Sequence, residues 1–156
     1  MKLLILDGNS VINRAYFGVK PLTTREGLYT HAIYGFLNIL ERMEKEEQPD
    51  AVCVAFDLHG PTFRHLKYDG YKATRKPMPE ELRPQIPLLK EVLSLMGVKT
   101  FEKEGSEADD IIGTIAKATS VKTIIITGDK DSFQLVDHET EVHFTKRGIT
   151  DVEVYN

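Results

Sequence analysis

A chain of 156 residues, 41% hydrophobic and 28% charged, fits a single soluble globular domain with a sizeable core. No apolar run approaches the roughly 18 residues of a membrane span, and Met1-Lys2 leads directly into Leu3 with no signal-peptide pattern, so a cytoplasmic protein without membrane attachment is expected. The net charge of -4 weighs against a general nucleic-acid binder unless cations are segregated, and the single Cys53 excludes an internal disulfide and reads as a buried small hydrophobe.

Leu3-Leu4-Ile5-Leu6 runs into Asp7 and reads as a buried strand. Gly8-Asn9-Ser10 then forms a turn opening a short helix through Val11, Ile12 and Ala15, which would bring Arg14 and Tyr16 close to Asp7. Pro21 to Gly27 is a loop. From Thr30 to about Lys45, Ala32, Ile33, Phe36, Leu37, Leu40 and Met43 recur at helical spacing, and Gln48-Pro49-Asp50 ends that helix. Ala51 to Phe56 is a second apolar run, ending in Asp57. Glu80 to Met96 is a helix with Pro84 and Pro87 early and Gly97 as its stop, followed by a short strand, Val98 to Phe101. A helix from Ser106 to about Ala118 leads to Thr123-Ile124-Ile125-Ile126-Thr127, which runs through Gly128 into Asp129 and Asp131. Asp131 to Leu135 is one or two helical turns, and Glu141 to Phe144 with Ile149 to Val154 alternate about Lys146-Arg147-Gly148 as an edge hairpin. The fold class is therefore α/β, a mainly parallel central sheet flanked by helices with a C-terminal hairpin.

Three strands ending in Asp stand beside Ser106-Glu107-Ala108-Asp109-Asp110, where Ser106 and Asp109 make a capping pattern. One or two acids at a helix N-terminus need only complement its dipole, but three in four residues repel one another unless a cation lies between them. In open α/β sheets ligands collect at the carboxyl edge of the strands. Gathered there, Asp7, Asp57, Glu107, Asp109, Asp110, Asp129 and Asp131 would form an all-oxygen pocket suited to hard cations, Mg²⁺ or Mn²⁺. His31, His59, His138 and His143 follow no ligand spacing and read as structural or surface residues.

Between Asp57 and about Pro79 the character changes: Arg64, His65, Lys67, Lys72, Arg75 and Lys76 are interleaved with Phe63, Tyr68 and Tyr71. Phosphates want charge and unstacked bases want flat faces, so the segment suits single-stranded nucleic acid. Carboxylates opposite cations make a phosphodiester the natural substrate, with two ions roughly 3.5–4 Å apart able to clamp the attacking and leaving oxygens. Lys72 and Arg75 would stabilise charge that grows in the transition state.

The ordered motifs Leu6-Asp7-Gly8-Asn9-Ser10, Phe56-Asp57, Phe63-Arg64-His65 with Gly70 to Arg75, Glu107 to Asp110 and Gly128 to Asp131 resemble the 5′ nuclease domain of bacterial DNA polymerase I, related to the flap endonucleases and PIN-like in fold. The resemblance covers essentially the whole chain. It implies a divalent-metal-dependent 5′–3′ exonuclease and structure-specific 5′ flap endonuclease acting on DNA and RNA primers in replication and repair. On the family pattern Asp7, Asp57, Glu107, Asp109 and Asp110 hold one metal and Asp129 and Asp131 belong to a second. Tyr71, Lys72 and Arg75, with Arg64 and Arg14, grip the 5′ strand, and residues 58–79 form an arch within a single domain of residues 1–156. Family members continue into a helix-hairpin-helix region that this chain does not contain, so a truncated, monomeric unit is expected, once joined to that region, with impaired cleavage by itself; whether a polymerase follows in the parent chain is left open by the sequence. The competing readings are a non-catalytic branched-DNA-binding module, a PIN-type ribonuclease and an Asp-nucleophile phosphotransfer domain.

Overall fold

The computed structural model describes residues 1–57, 78–102, 108–118, 121–128, 134–137, 139–147 and 151–155. Its elements run β1 (Lys2–Asp7), α1 (Gly8–Gly18), α2 (His31–Glu47), β2 (Ala51–Ala55), α3 (Gln85–Leu95), β3 (Lys99–Phe101), α4 (Ala108–Ala118), β4 (Lys122–Thr127), β5 (Thr140–Arg147) and β6 (Asp151–Tyr155). The sheet order is β3-β2-β1-β4-β5-β6, with the first five strands parallel and β6 antiparallel to β5. The unbroken apolar runs of β1, β2 and β4 follow from burial on both faces.

Alternation along the strands separates two cores. Leu4, Leu6, Val54, Phe56, Ile124 and Ile126 pack with residues of α1, α2 and α3, among them Ile12, Phe36, Leu40 and Leu89. Ile5, Cys53, Ala55, Ile125 and Val142 face the other way and meet Ile112 of α4. Burial pushes the Cys53 thiol up to about 11, so it stays protonated at neutral pH.

Two stops are those the sequence indicates. Gln48 takes the left-handed conformation at the end of α2 just before Pro49. Gly97, at φ 79°, closes α3 in a Schellman motif, its amide donating to Ser94 and the Val98 amide to Leu93. Elsewhere the boundaries differ. The helix expected from Glu80 begins only at Gln85, after turns at 80–84. Pro84 explains this, because a proline disfavours helical geometry at the residue before it but is accepted where a helix starts. Lys146 and Arg147, expected to form the hairpin turn, instead belong to β5, with an irregular register between Thr145 and Arg147. Of the helical turns expected over Asp131 to Leu135, Gln134 and Leu135 form a 3₁₀ turn and the others lie outside the described residues, as does Ser106.

The start of α2 shows a cap the sequence hides. Thr30 makes no side-chain cap bond. Gln85, fully buried on α3, accepts from the Ala32 and Ile33 amides at 2.8 and 3.3 Å and donates from Nε2 to the Glu81 carbonyl at 2.8 Å. Gln85→Leu leaves two buried first-turn amides without that acceptor and is expected to cost about 2–3 kcal/mol, measured by urea unfolding.

Nearby, His31 is 2% exposed against the rings of Tyr16 and Tyr29. Burial holds its imidazole below the ordinary 6.5, partly countered by the Leu22 backbone and Glu81. The unfolded chain therefore binds this proton more readily, and stability falls as pH drops below 6.5. His31→Phe is expected to flatten that part of the stability–pH curve, read by denaturant titration between neutral and mildly acidic pH.

Candidate metal and phosphate site

From β1 the chain proceeds to β2 on one side, whereas β4 lies on the other, so the carboxyl ends of β1 and β4 flank the topological switch point where α/β folds place ligands. Asp7 is the last residue of β1 and is only 5% exposed. Leu6 pairs with Ile126, which puts Asp7 level with Thr127. Asp7 itself pairs with Ala55, so Asp57 follows two residues farther along the same rim, half-buried.

Short polar side chains knit this rim together. Asp7 is the N-cap of α1: its Oδ1 accepts from the Ser10 amide at 3.4 Å, while Oδ2 accepts from the Thr127 hydroxyl at 3.0 Å. The Asn9 side-chain oxygen accepts from the Asp57 amide at 2.8 Å, and Ser10 Oγ accepts from the Gly128 amide. Thr145 Oγ1 donates to the Thr127 carbonyl at 3.4 Å. The first turn of α1 thus ties the ends of β2 and β4 to that of β1. Two glycines permit the approach. A Cβ at Gly8 would lie 2.5 Å from the Phe56 ring, and one at Gly128 would lie 2.9 Å from Ser10 Oγ and 3.0 Å from Thr145 Oγ1.

Gly8-Asn9-Ser10, expected as a turn opening a short helix, is the first turn of α1 itself, which starts at Gly8 because the Asp7 carboxylate caps it. Asn9, Ser10, Thr127 and Thr145 had no assigned role in the sequence. Their signal is placement, since small hydrogen-bonding residues stand at strand ends and in a first helical turn beside acids.

Asp109 and Asp110 fall in the first turn of α4. Because β3 runs parallel to β1 and β2 and α4 returns the chain toward the start of β4, that turn opens on the carboxyl side of the sheet, over the face carrying Ile5 and Ile125. Glu107, Asp129 and Asp131 lie outside the described residues, as do Arg64, Tyr71, Lys72 and Arg75. Among the described residues no three His, Cys, Asp or Glu side chains are grouped to hold a metal ion, so the pair the structure brings to one rim is Asp7 with Asp57. Arg14 is half-buried, its guanidinium 6.0 Å from the Phe144 ring centroid and its Cγ 3.2 Å from where a Cβ at Gly128 would stand. A cation thus lies beside the end of β4. Tyr16 does not join it. Two residues are about 200° around a helix, and its hydroxyl meets Glu81 at 3.3 Å while its ring stacks near His31. Burial and then the Glu81 carboxylate raise the Tyr16 hydroxyl above its ordinary range.

Among the described residues no helix is long and apolar enough to cross a membrane. DNA polymerase I of Caldicellulosiruptor bescii is 46% identical over 145 residues, covering 91% of this chain and 17% of that protein. DNA polymerase I of Bacillus subtilis is 43% identical over 157 residues, covering 99% and 18%. The chain thus spans less than a fifth of the length of these curated relatives. A T5 5′-exonuclease solved with divalent metal ions (zinc) aligns with a TM-score of 0.73 at 22% identity, over 99% of this chain and 58% of that one. A bacteriophage T5 flap endonuclease in a complex with DNA and metal ions gives 0.67 at 20%, over 99% and 57%. Flap endonuclease-1 from Methanococcus jannaschii gives 0.64 at 19%, over 98% and 56%. At these identities the structures show a shared fold, the PIN-like 5′ nuclease fold expected from the motifs. Residues 2–156 match the family described as 5′-3′ exonuclease, N-terminal resolvase-like domain, and the chain belongs to that family.

Proposed function

We propose that this chain supplies the acid-lined centre of a divalent-metal-dependent 5′–3′ exonuclease and 5′ flap endonuclease that hydrolyses DNA and RNA-primer phosphodiesters. The observation that carries the reading is Asp7, a carboxylate 5% exposed at the end of the central strand, beside the switch point and on one rim with Asp57. The donor chemistry fits a hard cation: the rim offers carboxylate oxygen from Asp7 and Asp57, and the thiol of Cys53 is buried within the sheet. The metal ions in the T5 enzymes of the same fold favour the same assignment.

In this reading Asp7, Asp57, Glu107, Asp109 and Asp110 hold one Mg²⁺ or Mn²⁺, and Asp129 and Asp131 contribute to a second. The chemistry such ions supply is neutralisation of charge on the phosphate and acidification of water. The chain's own residues do the rest. Asp7 is held in place by α1 and β4, and Arg14 offers a cation beside the end of β4. Lys72 and Arg75 stabilise charge growing on the phosphate, and Arg64 and Tyr71 hold the 5′ strand within an arch spanning 58–79 of a single domain, residues 1–156. In the full protein this domain precedes DNA-holding and polymerase regions, works as a monomer and is cytoplasmic.

The test uses a 5′-labelled flap DNA and the full-length protein with Mg²⁺ or Mn²⁺. Asp7→Asn and Asp57→Ala are each expected to lower cleavage by about 10²-fold or more, the scale of several kcal/mol of lost charge stabilisation. Lys72→Ala is expected to slow cleavage by on the order of 10²-fold with little change in flap affinity. Tight flap binding without cleavage at any metal concentration would overturn the enzyme in favour of a DNA-binding module, and cleavage confined to RNA would favour a ribonuclease.

A further inference from the structure

Thr127 closes an otherwise apolar strand interior and is fully buried, a position where valine would fill nearly the same space without a hydroxyl to satisfy. At the opposite end of β4, Thr123 satisfies its hydroxyl locally on the Val121 carbonyl at 3.1 Å. Thr127 reaches across the sheet instead, to Asp7 Oδ2 at 3.0 Å. An ionised carboxylate accepts only, so Thr127 is the donor. Its own carbonyl accepts from the buried Thr145 hydroxyl, which steadies the strand end that carries it.

The terminal torsion of an aspartate is broad and roughly two-fold, so a carboxylate at a strand end swings unless both oxygens are engaged. Here the Ser10 amide takes Oδ1 and the Thr127 hydroxyl takes Oδ2, which sets the plane of the group. Carboxylates that bind metals are commonly held by such partners, and loss of one typically costs 10–100-fold in affinity. Resting on the reading of Asp7 as a metal ligand, we infer that Thr127 is a positioning residue, whose hydroxyl orients the Asp7 carboxylate toward a divalent cation without contacting the cation or the substrate.

Mn²⁺ binding to this chain, followed by the electron paramagnetic resonance of free Mn²⁺ during titration, tests the inference without a cleavage readout. Thr127→Val is expected to weaken binding about tenfold or more and Thr127→Ser to stay within about threefold of the wild type, the scale seen for outer-shell partners. Circular dichroism melting confirms that the variants are folded. Should valine unfold the chain, Thr127→Ala takes its place in the comparison with serine. Unchanged affinity in the folded valine or alanine variant would overturn the inference, and so would equal loss in it and in serine, since the hydroxyl would then not be what matters. Asp7→Asn separates the two levels of the argument. If it abolishes tight Mn²⁺ binding while Thr127→Val does not weaken it, only the positioning role fails; if Asp7→Asn leaves binding intact, the metal reading of Asp7 fails with it.

Discussion

An aspartate held almost out of water at the end of the central strand is the constraint around which the rim is built. Removing a carboxylate from water carries a penalty of several kcal/mol, and charge-assisted hydrogen bonds return about 1.5–3 kcal/mol each. The Thr127 hydroxyl supplies one at 3.0 Å and the Ser10 amide a longer one at 3.4 Å, and the N-terminus of α1 adds about 0.3–1 kcal/mol through its dipole. Each carboxylate oxygen has a second acceptor direction. Accepting the cap on one direction of Oδ1 therefore does not by itself bar such a group from holding a cation.

That arrangement depends on how closely three strand ends approach the first turn of α1. Asn9 and Ser10 reach the backbone of the residues after β2 and β4, and such short side chains reach only if the backbones nearly touch. Gly8 against Phe56 and Gly128 against Ser10 and Thr145 are where the contact would otherwise jam. In physical terms, Asp-Gly-Asn-Ser reads as a ligand or cap, a close approach and two backbone clasps. Thr-Gly reads as the matching donor and close approach on β4.

Much of the sheet was legible because buried parallel strands announce themselves as unbroken β-branched runs, and Leu3 to Leu6 and Thr123 to Thr127 are such runs. Gly97 likewise marked its helix end, since φ 79° suits glycine. What stayed hidden depends on partners far along the chain. Nothing local distinguishes Gln85 from a surface glutamine, and its cap on α2 exists only once α3 packs there. Nearness in sequence to Asp7 suggests Tyr16 for the rim, but its angle around α1 turns it toward Glu81 and His31. At the site, Asp7 and Asp57 do share a rim, as the strand-terminal pattern implied, and the family resemblance carried by the ordered motifs is shown by the match over residues 2–156. Nothing local marks Thr127, because a threonine in a strand is ordinary by propensity and only the register against β1 gives its hydroxyl a direction.

The topology explains how positions more than a hundred residues apart become neighbours. Strands β1, β2 and β3 step outward to one edge, after which α4 carries the chain back past both so that β4 settles on the free side of β1. Residue 127 then meets residue 7, as the hydrogen bond between their side chains records. The crossing helix has 11 residues, about 16 Å of rise, close to the roughly 20 Å of the six-residue strand beneath it. A helix of that length starting at the carboxyl rim ends near the amino rim, so its first turn, with Asp109 and Asp110, cannot sit far from the strand ends without exposing Ile112, which is fully buried against Ile5 and Ile125. Burial of one isoleucine thus limits where two acids stand, and the apolar packing of α4 and the polar chemistry of the rim are set by the same crossover.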